Sequence, residues 1–179
     1  MTGTATVSYT RLAHVIQRMP SYDCYGSTLR AAAEERAWRL ALGRQLKECG
    51  DRLLRVVEMQ PEIITDEQHD TIDGLVDDIS AIFQRLNRQG QVSLGLGDAD
   101  TVVELEEHDL RLILLIEEAH ALVSALARDT RSSSWFGREA PRLSRDLDAI
   151  GTVTEARNFL LGLGRDTAPA RTRPKGDEA

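Results

Sequence analysis

Aromatic residues are scarce in this chain and account for only 4% of its 179 residues. A β-sandwich draws on Val, Thr, Tyr and Phe at alternating positions, so this scarcity disfavours a β-rich fold. Leu, Ala, Arg and Glu carry the bulk of the sequence instead, a mixture that suits helices packed along aliphatic seams. The length fits one ordinary domain.

Cysteine and long apolar runs are also rare. The two cysteines, Cys24 and Cys49, are too few for a disulfide framework. No apolar stretch follows a basic start, so the sequence predicts no signal peptide. The longest apolar run, 112–116, is far too short to span a bilayer. We therefore expect a cytoplasmic protein that does not contact a membrane.

Positive charge is in deficit, and the net charge is −7. Phosphate neutralisation needs an excess of Lys and Arg, so nucleic acid is not the expected partner. The first long helix is nevertheless rich in arginine, which leaves open a helical accessory subunit of a nucleoprotein complex. The arginines that would serve it are Arg30, Arg36, Arg39, Arg44 and Arg52.

Apolar residues recur every three or four positions along most of the chain, which predicts helices. A short helix from Tyr9 to Met19 stops at Pro20, and a loop follows over 21–26. Four long helices are then expected, with Thr65 and Gln68 forming a capping box on the second of them and Gly90 closing it. The other three span about 28–60, 99–129 and 138–163, with a linker over 130–137.

Long helices with short connections predict an all-α, up-down-up-down four-helix bundle plus the short N-terminal helix. The first long helix steps along Trp38, Leu42, Leu46 and Cys49, a coiled-coil-like seam. We assign 1–26 to an N-terminal arm, 27–164 to the bundle and 165–179 to a tail. The tail has too little apolar sequence to order itself, so we expect it to be disordered.

The run Leu-Arg-Leu-Ile-Leu-Leu-Ile over 110–116 covers every side of its helix. Leu110, Ile113 and Leu114 are therefore expected to point away from the bundle, as residues of a protein interface do. The cover could be a protein partner or a second copy of the chain. It could equally be the chain's own N-terminal arm, through Leu12, Ile16 and Met19.

Trp135 and Phe136 lie in the predicted linker before the last helix. Exposed loop aromatics are good interface anchors, so both are candidate contact residues. The alternative, which we favour, is that they fold back and plug one end of the bundle.

The stretch from Ala119 to Ala125 contains His120 followed by Leu122 two residues later. It resembles the phosphoacceptor motif of histidine phosphotransfer domains, which are also four-helix bundles. The resemblance implies an exposed His120 that takes a phosphoryl group from an aspartyl phosphate. Ser124 stands at the small-residue position of that motif, and Val123 stands where the family has Lys.

Glu117 and His120 also form one Glu-x-x-His step, which di-iron carboxylate bundles use twice. One step alone predicts no metal site. No other spacing indicates a catalytic residue or a cofactor. The leading interpretation is thus a non-enzymatic helical protein–protein interaction module, a subunit or adaptor of a larger assembly. A phosphotransfer-like signalling bundle centred on His120 is the first alternative.

Overall fold

A computed structural model describes residues 12–23, 28–59, 62–88, 99–128 and 134–163. Over these ranges the chain is helical and contains no strand, which confirms the all-α prediction. The helices are α1 (Ala13–Ile16), α2 (Thr28–Met59), α3 (Asp66–Leu86), α4 (Ala99–Arg128) and α5 (Ala140–Leu160), with a π-helical turn, Trp135–Glu139, leading into α5.

The helix bounds follow the sequence prediction most closely where a cap was recognised. The hydroxyl of Thr65 accepts from the Gln68 backbone N–H at 3.3 Å, and the Gln68 side chain accepts from the Thr65 N–H at 3.1 Å. This confirms the predicted capping box. At its other end α3 stops at Leu86, because Asn87 leaves the helical conformation before Gly90 is reached. Gly90 itself lies outside the described residues.

Two helix boundaries differ from the prediction, and both lie where the apolar repeat of the sequence is weak. Within the described residues, α1 is a single turn rather than a helix from Tyr9 to Met19. The predicted linker before the last helix is wrong at its C-terminal end, because Trp135 to Gly137 already belong to the π-helical turn. Tyr9, Cys24, the loop 90–98 and the tail 165–179 lie outside the described residues.

The four long helices pack in a definite order. Helix α2 contacts α3 and α4, and α5 contacts the same two helices. The side chain of Arg52 on α2 donates to Ser124 on α4 at 3.2 Å, and Trp38 on α2 donates to Asp109 on α4 at 2.8 Å. These two bonds join residues 72 and 71 positions apart, so α2 and α4 run in the same direction.

Helices α2 and α3 run in opposite directions. Gly43 lies against the ring of Phe83, while Gly50, further along α2, lies against Ile79, which is earlier on α3. A Cβ on Gly43 would stand 2.8 Å from the Phe83 ring, so glycine permits this close approach. The main core fills the space between the helices, and Leu12 and Val15 of the N-terminal arm belong to it.

Candidate functional site

Five polar or amphipathic side chains meet at the end of the molecule where α2 begins and α5 ends. Four of them lie at core-facing positions of three helices: Glu35 three residues before Trp38, Asp109 between Leu105 and Leu112, and Arg157 four residues after Val153. The N-terminal arm supplies the fifth. We call this group the polar cluster; its members are Tyr22, Glu35, Trp38, Asp109 and Arg157.

Asp109 is the centre of the polar cluster and accepts three hydrogen bonds. Its Oδ2 accepts from the Tyr22 hydroxyl at 2.5 Å. Its Oδ1 accepts from Trp38 Nε1 at 2.8 Å and from Arg157 Nε at 2.5 Å. One carboxylate thereby ties the arm, α2 and α5 to α4.

Arg157 joins the second carboxylate of the polar cluster. Its Nη1 and Nη2 donate to the two oxygens of Glu35 at 2.7 and 2.6 Å, the bidentate geometry that suits a guanidinium and a carboxylate. Nη2 also donates to the Tyr22 hydroxyl at 3.0 Å. Arg39, 3.6 Å from Glu35, adds a second positive charge, so two cations accompany the two carboxylates.

The surroundings shift the pKa values of this group in a consistent direction. Burial raises the pKa of Asp109, against the opposing effects of the Arg157 charge and the Tyr22 hydrogen bond. Burial alone would lower the pKa of Arg157, but Glu35 and Asp109 together raise it well above its usual value. Burial also raises the pKa of Tyr22, which keeps the phenol neutral and able to donate.

The polar cluster is closed to solvent. Glu35 and Asp109 are both 0% exposed, and their oxygens are committed to the bonds given above. Tyr22 holds its place with a φ of 61°, in the left-handed region that an L-residue adopts only at some cost. The arrangement clamps the arm and three helices together, and a ligand reaches its carboxylates only if the fold opens.

The outward apolar residues predicted on α4 divide into two groups. Leu110 and Leu114 are exposed, at 52% and 47%. The prediction is wrong for Ile113, which is buried. Ile113 directly follows Leu112 and lies three residues before Ile116, so it sits at the edge of the core-facing side of α4. It shares the main core with Leu12 of the arm.

Trp135 is buried, so it is not the exposed loop anchor that was one of the two interpretations of the sequence. Its Nε1 donates to the backbone oxygen of Leu122 at 2.9 Å. Phe136 is half-buried, packs against the same core and meets the Trp135 ring edge to face, with 5.2 Å between ring centroids. The π-helical turn aims the indole inward, which corresponds to the alternative that we favoured.

His120 is buried on the core side of α4, only 3% exposed, whereas the phosphotransfer resemblance implies an exposed imidazole. An incoming aspartyl phosphate would need direct access to the ring. Ser124 accepts the hydrogen bond from Arg52. Among the described residues, no group of three or more His, Cys, Asp or Glu side chains could hold a metal ion.

The five arginines named for a nucleoprotein role are not one surface. Arg39 donates to the backbone oxygens of Leu86 and Arg88, and Arg52 pairs with Glu48 on its own helix. The remaining three, Arg30, Arg36 and Arg44, are exposed on α2.

Val103 was missed at the sequence level and extends the exposed apolar surface of α4. It is 53% exposed and lies seven residues before Leu110, two helical turns away on the same side. We call Val103, Leu110 and Leu114 the α4 stripe. At about 100° per residue it points away from the core-facing side of Leu105 and Leu112. The helical period of 3.6 residues places Val103 on the same side as Leu110, but a single Val near the start of a helix is a weak signal.

Comparison with protein-family models, with curated protein sequences and with solved structures found no match for this chain. In the part of the chain that the structure describes, no helix combines the length and the apolar character needed to cross a bilayer.

Proposed function

We propose that this chain is a non-enzymatic helical protein–protein interaction module that works as a subunit or adaptor of a larger assembly. The observation that carries the proposal is the α4 stripe, in which Val103, Leu110 and Leu114 each leave about half of their surface in solvent. Single exposed leucines are ordinary, but here three aliphatic side chains recur on one side of one helix, and Leu110 and Leu114 lie one turn apart.

The charges beside the α4 stripe give it the rim of an interface. Glu106 and Glu107 are exposed between Val103 and Leu110, and the exposed Arg111 directly follows Leu110. Protein interfaces combine an apolar centre with a charged or polar border. The module would be an up-down-up-down bundle in the cytoplasm. It would present the exposed surface of α4 to its partner.

The polar cluster supports the same proposal by fixing α4. Asp109 immediately precedes Leu110, and its three hydrogen bonds hold this turn of α4 against the arm, α2 and α5. A rigid surface loses less conformational entropy when it binds. The buried clamp would thus keep the α4 stripe in a fixed position for a partner.

Site-specific photo-crosslinking in the cell tests this function. A benzoylphenylalanine placed at Leu110 or Leu114 should give a discrete crosslinked protein band. The matched control is the same group at Asp70, which is exposed on α3. The proposal predicts adducts from the two α4 positions and none from the α3 position. Equal labelling from all three positions, or none from any, would contradict it.

A further inference from the structure

The described part of the N-terminal arm lies along the neighbouring, parallel helices α2 and α4. We call this part, residues 12–23, the strap. The Tyr22 hydroxyl of the strap donates to Asp109 on α4 at 2.5 Å. Its His14 meets Gln45 on α2, with 3.1 Å between the two Nε2 atoms. The strap therefore contacts both helices and follows the seam between them.

The two ends of the strap lie at different heights of the bundle. Two bonds between α2 and α4 join residues 71 and 72 positions apart, so each α2 residue is level with the α4 residue that follows it by that separation. Gln45, which meets one end of the strap, is thus level with Ile116. The other end reaches α4 at Asp109 through Tyr22. The strap therefore runs antiparallel to α4 and passes the level of Ile113 on the way.

Ile113 lies on the side of α4 that the strap crosses. It follows Asp109 by four residues, about one turn further along the same side of the helix, and is 2% exposed. It belongs to the same core group as Leu12 and Val15 of the strap. On its outer side it borders the α4 stripe. Release of the strap would therefore add Ile113 to the exposed apolar surface of α4.

The bonds of the polar cluster allow the strap to leave while the bundle stays closed. The bond from Tyr22 ends on Oδ2 of Asp109. The bonds from Trp38 and Arg157 end on the other oxygen, Oδ1, and Arg157 makes two further bonds to Glu35. Loss of the Tyr22 bond therefore leaves α2, α4 and α5 tied together. Water that enters the opened seam can donate to Oδ2 in place of the phenol.

Three properties of the strap favour its release. Its helix α1 is a single turn, and so short a helix gains little stability by itself. Tyr22 has a φ of 61°, and the cost of this conformation is recovered when the strap leaves. Ile16 and Met19 stay partly exposed, so the strap buries only part of its apolar surface against the entropy cost of its order. Its opening should therefore need less free energy than global unfolding.

We propose that the strap is a releasable cover that regulates the α4 stripe. While the strap is bound, α4 presents Val103, Leu110 and Leu114. When the strap detaches, Ile113 joins them, and the partner binds this larger surface. Since the partner then prefers the open form, a bound strap weakens partner binding and partner binding promotes release by the same factor. The inference rests on the proposed interaction function and adds an autoinhibitory contact to it.

Thiol labelling of the native protein tests the release. Cys24→Ser and Cys49→Ala remove both native thiols, and Ile113→Cys then places one thiol under the strap. The matched control is Ile150→Cys, at a fully buried position of α5. Without urea, Ellman's reagent should label the α4 thiol at least about tenfold faster than the α5 thiol. The α4 rate should also depend only weakly on urea, because a local opening exposes little surface.

The same assay shows whether Tyr22 holds the strap. Adding Tyr22→Phe to the Ile113→Cys variant should speed its labelling at least about fivefold and leave the urea dependence weak. Circular dichroism checks that each variant keeps its helices. Equal rates and equal urea dependence at the α4 and α5 positions would overturn the proposal, because only global unfolding would then expose Ile113.

A second measurement uses the wild-type protein. Trypsin cleavage after Arg18, an exposed residue of the strap, requires the strap to leave its seam. Release predicts that the cleavage rate in the absence of urea changes little as low concentrations of urea are added. Cleavage that follows the steep urea dependence of global unfolding would overturn the proposal.

The link to the partner is tested with the crosslinker at Leu114. Tyr22→Phe should raise the yield of adduct above that of the wild-type chain, and an unchanged or lower yield would overturn the regulatory role. The two proposals fail separately. A closed strap in a chain that gives adducts from α4 would overturn this inference alone. A strap that opens in a chain without adducts would overturn the interaction function, and the regulatory role with it, but would leave the release itself standing.

Discussion

Arg157 on α5 closes a bidentate ion pair with Glu35 on α2, although the two residues lie 122 positions apart in the chain. The same guanidinium also holds Asp109 of α4 and the hydroxyl of Tyr22. A single side chain therefore joins the first and last long helices to the N-terminal arm. Removing it would leave two buried carboxylates with much less compensation.

Arg157→Leu should lower the free energy of unfolding by about 3–5 kcal/mol, because breaking a buried pair from one side leaves an uncompensated charge. The matched control is Arg142→Leu, which breaks the exposed ion pair with Glu118. Exposed pairs contribute about 0–1 kcal/mol. Urea denaturation of both variants measures the difference. Equal losses would mean that the polar cluster does not stabilise the fold as described.

Tyr22→Phe removes only the hydroxyl that bridges Asp109 and Arg157. We expect a loss of about 1–3 kcal/mol, because a buried carboxylate oxygen loses a donor. The segment 12–23 should also become easier to cut, and the exposed Arg18 within it is a trypsin site. Urea denaturation and limited trypsin digestion measure the two effects. Wild-type stability together with unchanged digestion at Arg18 would show that another contact anchors the arm.

The helix glycines allow a test of backbone entropy against packing. Gly74 lies inside α3, and an added Cβ would meet nothing within 4 Å beyond its chain neighbours and the backbone of its own helix, so Gly74→Ala should raise stability by about 0.5–1 kcal/mol. At Gly43 the Phe83 ring would stand in the way, so Gly43→Ala should gain less or lose stability. Thermal melting compares the two. A larger gain at Gly43 would contradict the close approach of α2 and α3.

Cys49 provides a prediction of pH dependence. Burial raises the pKa of its thiol from 9.0 to about 12. The folded chain thus retains a proton that the unfolded chain loses, and the associated stability, complete below pH 9, is lost as pH rises towards 12. The slope is at most about 1.4 kcal/mol per pH unit. Cys49→Ala should fall less steeply with pH in urea titrations, and parallel curves would contradict the prediction.

Much of the fold could be predicted from periodicity and capping. The α2 seam repeats every three to four residues without interruption, and Thr65 with Gln68 marks the start of α3 unambiguously. The π-helical turn at Trp135 could not be predicted. It follows a serine-rich stretch that lacks helical periodicity, and the burial of the indole between α4 and α5 is a tertiary effect.

The polar cluster was not foreseen, because charged residues by themselves predict solvent exposure. A signal was nevertheless present. Glu35, Asp109 and Arg157 each occupy a position where the apolar repeat of its helix calls for a hydrophobic residue. Charged residues of opposite sign at core-facing positions of three helices predict a buried group of ion pairs. Which of these residues meet is decided by the tertiary packing.

The position of Arg157 late in the chain has a consequence for protein synthesis. Asp109 leaves the ribosome 48 residues before Arg157, which at about 5–20 residues per second is a delay of roughly 2–10 s. During this interval both carboxylates lack their principal cation, and a compact three-helix intermediate would have to bury them without it. Closure of this end of the protein therefore awaits the synthesis of α5.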